Sequence, residues 1–110
     1  MVSGIVVALM TVPDVETGAR IGRAAVEAGF AACANVVPGL RSIYSWKGKV
    51  CDDPEALVVF KTRAVLIKKL ESLVRGLHPY EVFELVALPV VAGHAPYLRW
   101  VRENTIQRRA

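Results

Sequence analysis

Hydrophobic residues recur in two rhythms along this chain, and the change from one to the other predicts the order of its elements. Residues 4–12 (GIVVALMTV) form an unbroken run of small, β-branched and aliphatic side chains closed by Pro13. A short run of this kind, stopped by proline, fits a strand covered on both faces. Asp14 stands where a helix N-cap belongs, Glu16 suits the positive end of the helix dipole, and Gly29 supplies a stop. Residues 31–37 (AACANVV) read as a second strand, bent or bulged at Pro38-Gly39. The strand resumes over 40–46, where Leu40, Tyr44 and Trp46 share one face at a spacing of two. Lys47-Gly48 offers a hairpin turn, and a third strand culminates in 56–60 (ALVVF).

The rhythm then slows to that of a helix. Leu66, Leu70, Leu73 and Leu77 recur at steps of three and four, with Ile67 and Val74 beside them. Lys68, Lys69, Glu71, Ser72 and Arg75 take the opposite side. Gly76 is expected to close this helix in the left-handed conformation, and Pro79 forbids its continuation. Residues 85–91 form the fourth expected strand; Pro89 lacks an N–H and so assigns it to a sheet edge. Residues 93–104 hold a short third helix with Pro96 early in it. The order is β-α-β-β-α-β plus a final helix. With short connections and right-handed crossovers, this is an α+β, ferredoxin-like (split β-α-β) fold, one domain over residues 1–110.

Composition adds a problem that the fold alone does not solve. Residues of the class AVILMFWYC make up 54% of the 110, against about 45–50% in an average protein even with glycine counted. A domain this small leaves much of its surface wet. Two helices cover one face of a four-stranded sheet, yet strands one, three and four carry apolar side chains on both. Another copy of the chain is the simplest cover for the second face. The residues alone thus imply an oligomer of unspecified size.

Charge and cysteine content exclude more than they assign. The net charge is +4, with Arg99, Arg102, Arg108 and Arg109 close to the end. Without a recognition helix or an aromatic–basic platform, this reads as a solvated tail and argues against nucleic acid. The run 4–12 is too short to span a bilayer and lacks the flanks of a secretory signal, so no membrane role is expected. Cys33 and Cys51 show neither CxxC nor zinc-type spacing, and read as free thiols of a cytoplasmic protein. Cys33 suits apolar packing; Cys51, beside Asp52 and Asp53, is the more reachable and the less nucleophilic.

Four stretches carry a resemblance: ACANVVPGLRSIYSWKGKV (32–50), VVFKTR (58–63), LHPYEVFELVALP (77–89) and GHAPYLRWV (93–101). Together, in this order, they resemble the CutA divalent-cation tolerance proteins, over about residues 6–104. The resemblance implies a cytoplasmic homotrimer of ferredoxin-like subunits, with long hairpins packing between neighbours. It further implies association with copper or another divalent cation. The family is similar in fold and assembly to the PII signal-transduction proteins, an analogy that transfers no function.

The chemistry gathers in front of the fourth strand. His78 offers an imidazole, Glu81 and Glu84 carboxylates, and Tyr80 a hydroxyl; imidazole suits copper, zinc and nickel, and carboxylate completes a borderline site. Some members of the family carry a proposed copper site with a cysteine near the end of strand one and two histidines before Pro-Tyr. Here Met10 and Leu77-His78 hold those positions; joined to the two carboxylates, they give the candidate metal set His78, Met10, Glu81 and Glu84. Phe83 stands where the family usually has proline. Against this set, His78 bonding a helix-end carbonyl and Glu84 pairing with Lys61 or Arg63 is a purely structural alternative, with Met10 as core filler. A second function is a PII-like trimeric sensor or interaction module with clefts lined by Tyr44, Trp46, Lys61, Arg63, Tyr80 and Trp100. The two bases there favour a small anionic ligand. An enzyme is not expected: Thr11-Val12-Pro13-Asp14 is no phosphate loop, and no nucleophile stands with a base.

Overall fold

The computed structural model describes residues 4–107; Arg108 and Arg109 of the expected basic tail lie outside them. The elements are β1 (Ile5–Val12), α1 (Val15–Glu27), β2 (Cys33–Trp46), β3 (Lys49–Arg63), a 3-10 turn (Ala64–Leu66), α2 (Ile67–Leu77), β4 (Val86–Pro89) and α3 (Ala95–Glu103). The strands form one antiparallel sheet in the order β2-β3-β1-β4. This is the split β-α-β arrangement that the hydrophobic rhythm predicts, with β4 at an edge.

Local chemistry sets most boundaries. The Asp14 carboxylate accepts the Thr17 N–H at 2.8 Å, which caps α1 and holds the Asp14 pKa below its ordinary value. Gly29 follows that helix at φ +77, where a Cβ would lie 2.4 Å from Cγ2 of Ile106. Both the backbone angle and the neighbour therefore demand glycine. The end of α2 differs from expectation. Gly76 stays inside the helix, and His78 ends it in an extended conformation with ψ 135. The cause is Pro79, whose ring pushes the preceding residue out of the helical region. β4 is also shorter than the 85–91 expected, because Pro89 brings no N–H to the ladder. Beyond it the Val90 N–H still donates to the Ile5 carbonyl at 3.0 Å.

Register decides which residues share a face, since antiparallel partners point the same way. Ala8, Met10 and Val12 pair with Phe60, Val58 and Ala56. These six, with Ile21 and Ala25 of α1 and Leu70 and Val74 of α2, are all at 1% exposure or less. That is the core. The opposite face carries Val7, Leu9, Leu57 and Val59, and from β4 Val86 and Leu88. Among the described residues its intramolecular cover is α3, whose Val101 and Leu98 pack on Ile5, Ala32 and Val90 at one end. The remainder is open: Val86 is 48% and Leu88 51% exposed.

The β2–β3 hairpin outruns the sheet. β1 pairs only with residues 56–63 of β3, so 40–55 project as a two-stranded arm beyond a break in register between Val37 and Leu40. Gly39 takes φ +77 at that break, the bulge expected of Pro38-Gly39. Lys47 and Gly48 both have positive φ, 52 and 78, as a two-residue hairpin turn matched to strand twist requires.

Candidate functional site

Where the arm leaves the sheet, its base and the segment 80–84 enclose an open groove of about 720 Å³. Arg41, Tyr44 and Trp46 come from the arm, Glu55 from its base, and Tyr80, Glu81 and Glu84 from the segment before β4. The register places the arm residues. Once Lys47-Gly48 turns, Trp46 faces Lys49, Tyr44 faces Cys51 and Leu40 faces Glu55.

Hydrogen bonds hold the walls. The Tyr80 hydroxyl donates to Glu55 Oε2 at 2.7 Å, tying the segment to the arm. Burial, and secondarily this bond, push the Tyr80 phenol up to about 12. The Tyr44 hydroxyl donates to Asp53 Oδ2 at 2.5 Å, which raises its pKa further. Arg41 grips Asp52 through both Nε (2.9 Å) and Nη2 (2.7 Å), so its charge is matched and Asp52 is held more acidic than usual. With Arg41 so paired, the other charged side chains that line the groove, among the described residues, are the carboxylates of Glu55, Glu81 and Glu84.

The residues proposed from the sequence separate. Met10 does not reach the groove; it is fully buried in the core against Val58 and its neighbours, on the helix-covered face. Its neighbour in sequence is what matters: the Thr11 carbonyl accepts a bond from His78 Nε2 at 2.8 Å. His78 Nδ1 accepts the Tyr80 N–H at 3.1 Å, so both ring nitrogens are engaged. Glu81 and Glu84 line the groove and are exposed. Among the described residues no three His, Cys, Asp or Glu side chains gather closely enough to hold a metal ion. The described residues of one chain therefore do not fit a resident three-ligand metal centre.

The anion-binding set divides as well. Tyr44, Trp46 and Tyr80 line the groove. Lys61 and Arg63 sit at the far end of β3, opposite Val7 and Ile5 of β1. Lys61 donates to Asn35, and Arg63 to Thr105 Oγ1 at 3.0 Å and to the Ile106 carbonyl. Neither bonds Glu84, so that part of the structural alternative does not hold. Trp100 stacks on Tyr97 along α3, ring centroids 5.6 Å apart. Sequence reasoning passed over Arg41 and Glu55. The hairpin count exposes both, because it sets Arg41 two places from Asp52 across the arm and Glu55 at the arm's root.

A ferredoxin-like chain with a largely uncovered sheet face, a long hairpin arm and an acidic groove at the arm's base defines the class of protein. The family model for the CutA1 divalent ion tolerance protein matches residues 6–104. A divalent-cation tolerance protein CutA from Thermus thermophilus is 50% identical over 99 residues, which are 90% of this chain and 96% of that protein. The human Protein CutA is 48% identical over 98 residues, covering 89% of this chain and 55% of its own length. A rice protein, Protein CutA 1, chloroplastic, is 41% identical over 91% of this chain and 56% of its own. The chain thus spans about half of these two longer relatives. The solved structure of the Thermus thermophilus protein superposes with TM-score 0.90 at 50% identity, over 92% of this chain and 98% of that one. That of rice CutA1 does so with 0.91 at 39% identity, over 94% and 95%. This chain belongs to the CutA divalent ion tolerance family.

Proposed function

We propose that this protein serves divalent-cation tolerance as a homotrimer in which copper or another divalent cation is a loosely held, exchangeable cargo of the groove. The observation that carries the reading is the charge of the groove: Glu55, Glu81 and Glu84 face a single guanidinium that Asp52 already matches. Carboxylate, phenol and water are hard ligands, and they favour Cu(II), Zn(II) or Mn(II) over Cu(I). The thioether that would have favoured Cu(I), that of Met10, is locked in the core. The uncovered sheet face supports the oligomer, and the family resemblance supplies the count of three.

A small-anion sensor is the weaker reading, because Lys61 and Arg63 lie away from the groove and are each committed to other partners. The Thermus thermophilus relative is named a divalent-cation tolerance protein, and we assign this chain no reaction. The free thiols of Cys33 and Cys51 suit a reducing compartment, and we place the protein in the cytoplasm. No helix among the described residues is long and apolar enough to cross a membrane.

Native mass spectrometry combined with calorimetric titration of Cu(II), Zn(II) and Mn(II) tests this. The expected result is a three-chain mass that takes up cations weakly, with affinity reduced roughly tenfold in a Glu81→Gln/Glu84→Gln double variant. Unchanged cation affinity in that variant overturns the assignment.

A further inference from the structure

His78 is the residue a metal-centred reading would choose first, and its surroundings give it another occupation. It lies one position beyond α2 with 8% of its surface exposed. The Thr11 carbonyl, 2.8 Å from Nε2, can only accept, so Nε2 carries the proton. The Tyr80 backbone N–H, 3.1 Å from Nδ1, can only donate, so Nδ1 is bare. One tautomer satisfies both contacts. The ring is stacked on Phe83, centroids 5.4 Å apart at 18°, and tilted against Tyr80 at 4.8 Å. The proline-to-phenylalanine departure at position 83 thus supplies one of its walls.

The bond from the Tyr80 N–H back to a side chain two residues earlier is the pattern of an Asx turn, with imidazole Nδ1 in place of an asparagine oxygen. Pro79 sits between the two residues and fixes φ there. Tyr80 carries the constraint outward, since its hydroxyl donates to Glu55 at the root of the arm. Three bonds in series therefore link the end of β1, the segment 78–84 and the arm.

We propose that His78 is a positioning residue: as the Nε2–H tautomer it latches segment 78–84 onto the end of β1 and so sets one wall of the groove, and it is not a ligand of the cations the groove takes. A metal ion needs a lone pair on the ring. At Nδ1 it would displace the Tyr80 N–H and undo the turn. At Nε2 it would displace the proton and leave the Thr11 carbonyl without its donor, and unmade buried bonds are costly. Only the clause about cations rests on the groove reading; the latch stands on the bonds themselves.

The test is nitrogen-15 NMR and amide exchange on the whole protein at pH 8, with zinc chloride as a diamagnetic probe. His94, exposed and ahead of α3, is the only other histidine and serves as the internal reference. His78→Asn keeps an acceptor at the Nδ1 position, His78→Gln keeps a donor at the Nε2 position, and His78→Ala keeps neither. The wild-type ring is expected to show the Nε2–H signature and to hold it through a zinc titration that moves Glu81 and Glu84. Protection of the Tyr80 amide is expected to fall roughly tenfold or more in the alanine variant and to recover in the asparagine variant. Zinc affinity is expected to fall with alanine and to return with asparagine or glutamine, neither of which replaces imidazole as a ligand. A zinc-induced coordination shift of a His78 nitrogen overturns the proposal. So does loss of zinc binding in the asparagine variant while its Tyr80 amide stays protected. If zinc fails to bind even the wild type, the groove reading falls alone. Tyr80 protection then decides the latch, and an asparagine variant no better than alanine refutes it.

Discussion

The two faces of this sheet are made by the same strands, one residue out of phase, and they meet opposite demands. On the even-numbered face of β1, Ala8, Met10 and Val12 are sealed under α1 and α2 in a cluster of aliphatic and aromatic side chains. On the odd-numbered face, Val7 and Leu9 sit beside the exposed Val86 and Leu88, and α3 shelters only one end. Similar side chains are thus structural capital on one side and an unfinished surface on the other. Hydrophobicity alone therefore does not locate the core of a small sheet protein, because it marks the closed and the open face alike.

The sharpest way to break this comparison is to weaken each face in turn. Phe60→Ala on the closed face is expected to cost about 3–5 kcal/mol, because a fully buried ring leaves a cavity that neighbours refill only in part. Thermal or denaturant unfolding measures it. Leu88→Glu on the open face is expected to leave the subunit folded, with near-native circular dichroism. Sedimentation velocity should show its assembly dissociated, since a desolvated charge is not tolerated at an apolar interface. If Leu88→Glu unfolds the chain, or Phe60→Ala only dissociates it, the distinction between the faces collapses.

Smaller effects sharpen it at the groove. Tyr80→Phe removes the bond to Glu55 and is expected to cost about 1 kcal/mol or less, given the partial exposure of the pair. The sign with pH follows from the raised phenol. Its stabilisation is complete below the ordinary tyrosine value of about 10 and is lost as pH rises through its folded value of about 12. The wild type should therefore lose stability in that alkaline window faster than Tyr80→Phe does, in denaturant titrations at stepped pH. Smallest of all, Asp52→Asn breaks the solvent-exposed Arg41 pair on the arm. It is expected to change the melting temperature by no more than about a degree, consistent with surface ion pairs generally.

Much of this architecture was legible in the residues because short-range physics dictates it. Asp14 announces a helix start, Lys47-Gly48 a hairpin turn and the Leu66–Leu77 spacing a helix, and each stands where its chemistry placed it. Failures came where two local rules competed. Gly76 invited a left-handed cap, but the helix runs through it and closes two residues later at His78, which Pro79 pushes out of the helical region. The candidate site was less legible, because it depends on which long-range pairs form. His78, Glu81 and Glu84 are near in sequence, yet the imidazole turns inward to the Thr11 carbonyl while the two carboxylates face the groove. Met10 and Lys61 looked available as letters. Strand parity sends the first into the core and to the opposite face from the second.

We infer that copies of the chain cover the odd-numbered face. Sedimentation velocity of the unmodified protein at micromolar concentration tests it most directly. One species with three times the mass of the chain is expected, unchanged by removal of divalent cations. A stable single-chain species at that concentration, with Val86 and Leu88 left in water, would contradict it.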